Sequence, residues 1–159
     1  IQQMGCRLKW YLDEFPVEEE TVAYFCFPNY KGRYYYIDNR GKEVRGNPGN
    51  CPKHVSEWQD VACKWDATIA INWIYTTCMS KGITPRFLQT WRKIELVESI
   101  DQTSGEDWVI PPSECLSDLA FGKGEFNNKF VRCRYRNTHD NHPNQEGQSL
   151  LARKLLCLI

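Results

Sequence analysis

Near its C-terminal end, "NTHDNHPNQEG" (137–147) brings His139, Asp140 and His142 close together in the chain. A histidine acts as a general base when a carboxylate fixes its tautomer and a nucleophile lies within about 3 Å. Asp140 and His142 are therefore the candidate catalytic residues of a hydrolase reading. Just upstream, "KFVRCRYR" (129–136) alternates with a period of two. A strand there would carry Arg132, Arg134 and Arg136 on one face, and Val131, Cys133 and Tyr135 on the other. Three guanidinium groups side by side grip sulfate, phosphate or carboxylate through paired hydrogen bonds. His139 and His142 would add charge to that patch as the pH falls toward about 6. The candidate ligand-binding residues are thus Arg132, Arg134, Arg136 and His139. The competing reading is an outer strand face that simply meets water.

Other stretches carry less chemistry. "EFPVEEE" (14–20) is a compact acidic run, but carboxylates at that spacing define no metal cage, so a solvated loop is expected. "RYYYID" (33–38), with Trp10 and Phe27, could form a stacking platform for sugars or bases, although aromatics in a strand more often fill a core. There is no glycine-rich phosphate loop, HExxH pair or GxSxG elbow. No metal and no cofactor are expected.

These residues need elements to position them. "RLKWYL" (7–12), "TVAYFCF" (21–27), "GRYYYID" (32–38) and "KEV" (42–44), with an "NRG" turn before the last, read as strands of a small antiparallel sheet. "RGNPGNCP" (45–52) is a loop and the expected internal seam of one domain spanning 1–159. Asp66 is placed to cap a helix through "ATIAINWIYTTCMSK" that stops near Gly82, with apolar residues on nearly every face. Thr84-Pro85 looks like the start of a second helix, whose stripe is Phe87, Leu88, Trp91 and Ile94. Ser113 is expected to cap "ECLSDLAF", which stops at Gly122. Leu150, Leu151, Leu155, Leu156 and Ile159 give the final helix its apolar stripe.

The run "NHPNQEGQSLLARKLL", within residues 140–156, resembles the last block of SGNH (GDSL-type) hydrolases. In that family an Asp and a His complete the catalytic triad, and His-Pro-Asn leads through a glycine into the final helix. His142, Pro143, Asn144, Gly147 and Ala152 stand at the matching places. The resemblance implies an esterase or other hydrolase, or a fragment of one. The chain departs from the pattern at two points. One residue rather than two separates Asp140 from His142, putting His139 where the family has its Asp, and no Gly-Asp-Ser nucleophile block occurs. The plainer expectation is a turn in which Asn144 caps the last helix.

Composition sets the class. The chain has 159 residues, 42% of them hydrophobic, and a formal net charge of zero. That balance argues against nucleic acid or an acidic membrane surface as partner. No apolar run approaches the roughly 20 residues of a membrane helix. The opening Ile suggests a mature product or a trimmed chain. Eight cysteines at wide spacing, with no CxxC pair, read as four disulfides formed in an oxidising compartment, each contributing about 2–4 kcal/mol. N-glycosylation is not expected, since no Asn-x-Ser/Thr triplet occurs.

The expectation is a secreted, extracellular α+β domain held by disulfides, with antiparallel strands in its N-terminal third and helices in the middle and at the C-terminus. Its expected work is recognition of a protein or glycan partner, most simply an anionic one. The hydrolase is the alternative, and a secreted toxin or effector is the third reading.

Overall fold

The computed structural model describes residues 2–18, 20–27, 34–46, 52–91, 93–123, 125, 134–137 and 142–159. The chain opens with helix α1 (Gln2–Glu14), followed by strand β1 (Val22–Phe27) and a hairpin of β2 (Tyr34–Ile37) and β3 (Glu43–Gly46). Helix α2 (Lys53–Ser80) comes next, then β4 (Thr84–Gln89), a short helix α3 (Leu116–Phe121) and the last helix α4 (Gln145–Leu156).

β1 and β4 pair in parallel, with Phe25 opposite Phe87 and Phe27 opposite Gln89. Parallel neighbours need a long crossover. Here it is the β2–β3 hairpin and α2, which at 28 residues is roughly 42 Å long. Next to β4 on its other edge, Val109 N–H donates to the Phe87 carbonyl at 2.8 Å, beside a bridge between Phe87 and Trp108.

The alternation of β4 divides the core. Phe87 faces one cluster, built from Leu8 of α1, Phe25 and Phe27 of β1, Ile71, Ile74 and Cys78 of α2, and Trp108. Its neighbour Leu88 faces a second cluster with Ile110, Leu116 and Leu151, against which Trp91 and Phe121 pack. Both faces of β4 are covered, which is why Phe87, Leu88 and Gln89 are buried in succession. Buried Gln89 ends the strand by donating its amide to the carbonyls of Pro111 and Glu114.

This arrangement corrects several expectations. The N-terminal third is not an all-antiparallel sheet: among the described strands β2 and β3 pair that way, whereas β1 pairs in parallel with β4. Residues 7–12 are helical, because Met4, Leu8 and Leu12 recur every four residues and pack on the core as one stripe. The run from Thr84 is a strand rather than a helix. A helix would have put Leu88, Trp91 and Ile94 on one face, whereas Ile94 joins the first cluster and Leu88 and Trp91 the second. α2 begins at Lys53 after Pro52, so Asp66 lies exposed within the helix and does not cap it. Gly82, at φ 72°, does mark the end of that helix. The short helix ends at Gly122 as expected, but its N-cap is Cys115 rather than Ser113.

The disulfide framework is also corrected. Cys6, Cys26, Cys63, Cys78, Cys115 and Cys157 are all free. The fold scatters them: Cys78 and Cys115 are buried in different parts of the molecule, while Cys6, Cys26 and Cys157 face solvent on α1, β1 and the end of α4. Cys51, Cys133 and most of the seam at 45–52 lie outside the described residues. Packing rather than cross-linking holds the described fold together. No helix among the described residues is long and apolar enough to cross a membrane.

Candidate functional site

The residues singled out near the C-terminus form a brace around the start of α4. Arg134 and Tyr135 are helical, so the strand expected to align three arginines does not run through them. Arg134 donates from Nε and Nη2 to Glu146 Oε1, at 3.1 and 2.9 Å. That hydrogen bond, with the charge of Glu146 behind it, holds the guanidinium pKa above its already high ordinary value. The guanidinium carbon also stands 5.1 Å from the Tyr135 ring centroid. Arg134 is therefore engaged by a carboxylate of its own chain.

Arg136 is half-buried and bridges Pro143. The backbone zips shut beside it: Asn137 N–H donates to the His142 carbonyl at 2.8 Å, and Asn144 N–H to the Tyr135 carbonyl at 2.9 Å. Asn144 is the N-cap of α4, as expected, its side-chain oxygen accepting from Gly147 N–H at 2.9 Å. His142 is exposed. Arg132, His139 and Asp140 lie outside the described residues, so of the two proposed sets only Arg134, Arg136 and His142 can be placed.

A larger concavity lies at the opposite end of the sequence, between α1 and β1. It has a volume of about 760 Å³, within the range of roughly 300–1,000 Å³ usual for small-molecule sites. The floor is apolar: Met4 and Leu8 from α1, Ala23 and Phe25 from β1, and Ile83. The rim carries large exposed side chains, with Trp10 59% and Tyr24 51% accessible. Among the described residues that line the groove, Arg7 is the charged one.

Local sequence explains this geometry. The α1 stripe of Met4, Leu8 and Leu12 turns toward the core, which leaves Arg7, Trp10 and Tyr11 on the flank beside β1. Along β1 the period of two buries Phe25 and Phe27 and sends Val22, Tyr24 and Cys26 outward. Cys26 Sγ sits 3.0 Å from Thr90 Oγ1, placing a thiol among the groove's lining residues. Sequence reasoning missed the groove because it read 7–12 as a strand. The spacing of Met4, Leu8 and Leu12 was the signal that could have revealed it. Of the aromatics weighed as a stacking platform, Phe27 is fully buried in the core while Trp10 faces solvent, and the side chains of 33–35 lie outside the described ones.

No family model, curated protein or solved structure matches the chain. The functional reading therefore rests on the geometry of these surfaces alone.

Proposed function

We propose that this domain is a recognition module, and that the α1–β1 groove binds an elongated apolar molecule bearing one anionic group. The observation supporting this reading is the groove's lining: an apolar floor, aromatic rims at Trp10 and Tyr24, and Arg7 with no carboxylate among the described lining residues. Burying an apolar chain on that floor contributes about 25 cal/mol per Å². The guanidinium of Arg7 offers paired donors to a carboxylate, sulfate or phosphate at the groove's edge. Preference for an anionic partner thus moves from the C-terminal arginines, where Arg134 is held by Glu146, to α1.

The test is titration with a fluorescent long-chain carboxylic acid and with the matching alcohol. Saturable binding of the acid is expected, weakened about tenfold by Arg7→Gln, the size of one lost charge-assisted hydrogen bond. The alcohol should bind Arg7→Gln and the unaltered protein alike, while Val22→Glu should abolish binding of both. Absence of saturable binding, or equal affinity for acid and alcohol, overturns the reading.

A further inference from the structure

Helix α2 is apolar on two opposite faces. One face carries Ile71, Ile74 and Cys78 into the core. The other carries Trp58, Val61, Trp65 and Ile69, spaced three and four residues apart, and all are exposed. Trp58 is 71% accessible and Ile69 56%. An apolar face of a helix is ordinarily covered by a packing partner. At the far end of the same stripe is a hole. Gly5 lets α1 approach until the Trp73 ring touches it, and the two helices enclose a groove of about 380 Å³ lined by Cys6, Asp66, Ile69 and Ala70.

We propose that this face is a homodimer interface, in which α2 packs antiparallel against α2 of a second copy and Trp58 of each enters the α1–α2 groove of the other. The spacing fits a two-fold axis. If the axis crosses the helix between Trp65 and Asp66, Trp58 and Trp73 lie equally far from it, at roughly 11 Å each with a rise of 1.5 Å per residue. Trp58 of one copy then meets Trp73 of the other, and Ile69 meets Ala62. This is the self-complementary contact that a two-fold requires. In the same register Asp66 stands opposite Trp65 of the other copy and can accept from that indole N–H.

The area comes close to the lower bound of a specific interface. With aromatic side chains at about 150–250 Å² each, the exposed stripe presents on the order of 500–600 Å² per copy, and two copies approach the roughly 1,200 Å² at which specific interfaces begin. Contacts from α1 around the inserted Trp58 add to that figure.

Sedimentation velocity from low micromolar to several hundred micromolar protein tests the proposal. A concentration-dependent dimer is expected. Trp58→Glu on the knob and Ile69→Glu in the hole should each raise its dissociation constant at least about 30-fold, the effect of losing a central anchor. Both positions are exposed, and unchanged circular dichroism would confirm that each variant is folded. Trp58→p-benzoylphenylalanine, irradiated in a mixture of isotope-labelled and unlabelled protein, should cross-link between copies to the segment 66–73. A monomer at every concentration, a dimer indifferent to both variants, or cross-links elsewhere would overturn the assignment. So would coverage of Trp58 that requires a different protein.

Discussion

The side-chain oxygen of Asn144 accepts the Gly147 amide hydrogen at 2.9 Å, closing the first turn of α4. The same residue donates from Nδ2 to the Arg134 carbonyl at 2.7 Å. One side chain thus joins the cap to the segment that precedes the loop. Asn144→Ala should lower stability by about 1–2 kcal/mol, at the upper end for a lost cap because a second bond goes with it. Asn144→Asp keeps the acceptor and loses the donor, so it should fall between the two in urea unfolding.

Gly147 lies so near the preceding segment that an added Cβ would stand 2.5 Å from the Tyr135 carbonyl oxygen. In an open helix Gly→Ala stabilises by about 1 kcal/mol. Here the obstacle is backbone, which cannot rotate aside, and overpacking of this kind costs typically 1–3 kcal/mol. Gly147→Ala should therefore lower the thermal midpoint. A rise would show that the brace yields freely.

These two positions mark where the sequence was most legible. Asn-x-x-Gly ahead of Leu150, Leu151 and Leu155 specifies a capped amphipathic helix by local chemistry alone, and α4 forms from Gln145 as that pattern requires. The β2–β3 hairpin is equally local, since its "DNRG" turn brings Asp38 Oδ1 within 2.8 Å of the Arg40 amide and 2.9 Å of the Lys42 amide. What failed was long-range. β4 reads as a helix start because Thr-Pro is an ordinary helix opening, and pairing with β1, sixty-two residues earlier, and with Trp108–Val109 makes it a strand. Residues 7–12 fit a period of two as well as a period of four, and the core decided between them. Of the candidate site, the arginine row depended on a strand whose end is helical, while the α1–β1 groove depended on two elements distant in sequence.

Thr68 is fully buried, donates to the Lys64 carbonyl at 2.8 Å and accepts from the Val97 amide at 2.9 Å. Thr68→Val keeps the shape and strands that amide without a partner. The expected cost is about 1–3 kcal/mol. Thr68→Ser restores the acceptor and should recover much of the loss in the same denaturation experiment. Equal destabilisation by Val and Ser would assign the effect to packing instead.

Burial pushes the Cys78 thiol up from its ordinary 9.0 to about 11. The unfolded chain therefore releases this proton first. The contribution to stability is complete below about pH 9 and declines as the pH rises toward 11. Cys78→Ala should be less stable throughout, but its stability should fall less steeply across that window than that of the unaltered protein. Parallel slopes would remove Cys78 as the cause. Alkylation under native conditions should modify Cys6, Cys26 and Cys157 well before Cys78, read by peptide mass analysis.

His142 is exposed, while the segment from His142 to Asn144 is held by hydrogen bonds to Asn137, Tyr135 and Arg134. The alternative role is that of a hydrolase base. With short-chain nitrophenyl esters the expectation is turnover at background, unchanged in His142→Ala. Turnover well above background that disappears in that variant would replace recognition with catalysis.

Because Phe87 and Leu88 send adjacent side chains into two different clusters, β4 couples the two halves of the molecule energetically. Neither half can open without exposing one face of the same strand. Native-state hydrogen exchange should accordingly find the amides of β1, β4 and the inner face of α2 opening with one common free energy rather than as separate cooperative units. Occupancy of the α1–β1 groove would then slow exchange as far away as Leu151 on α4, because tightening β1 withdraws the opening that both clusters share.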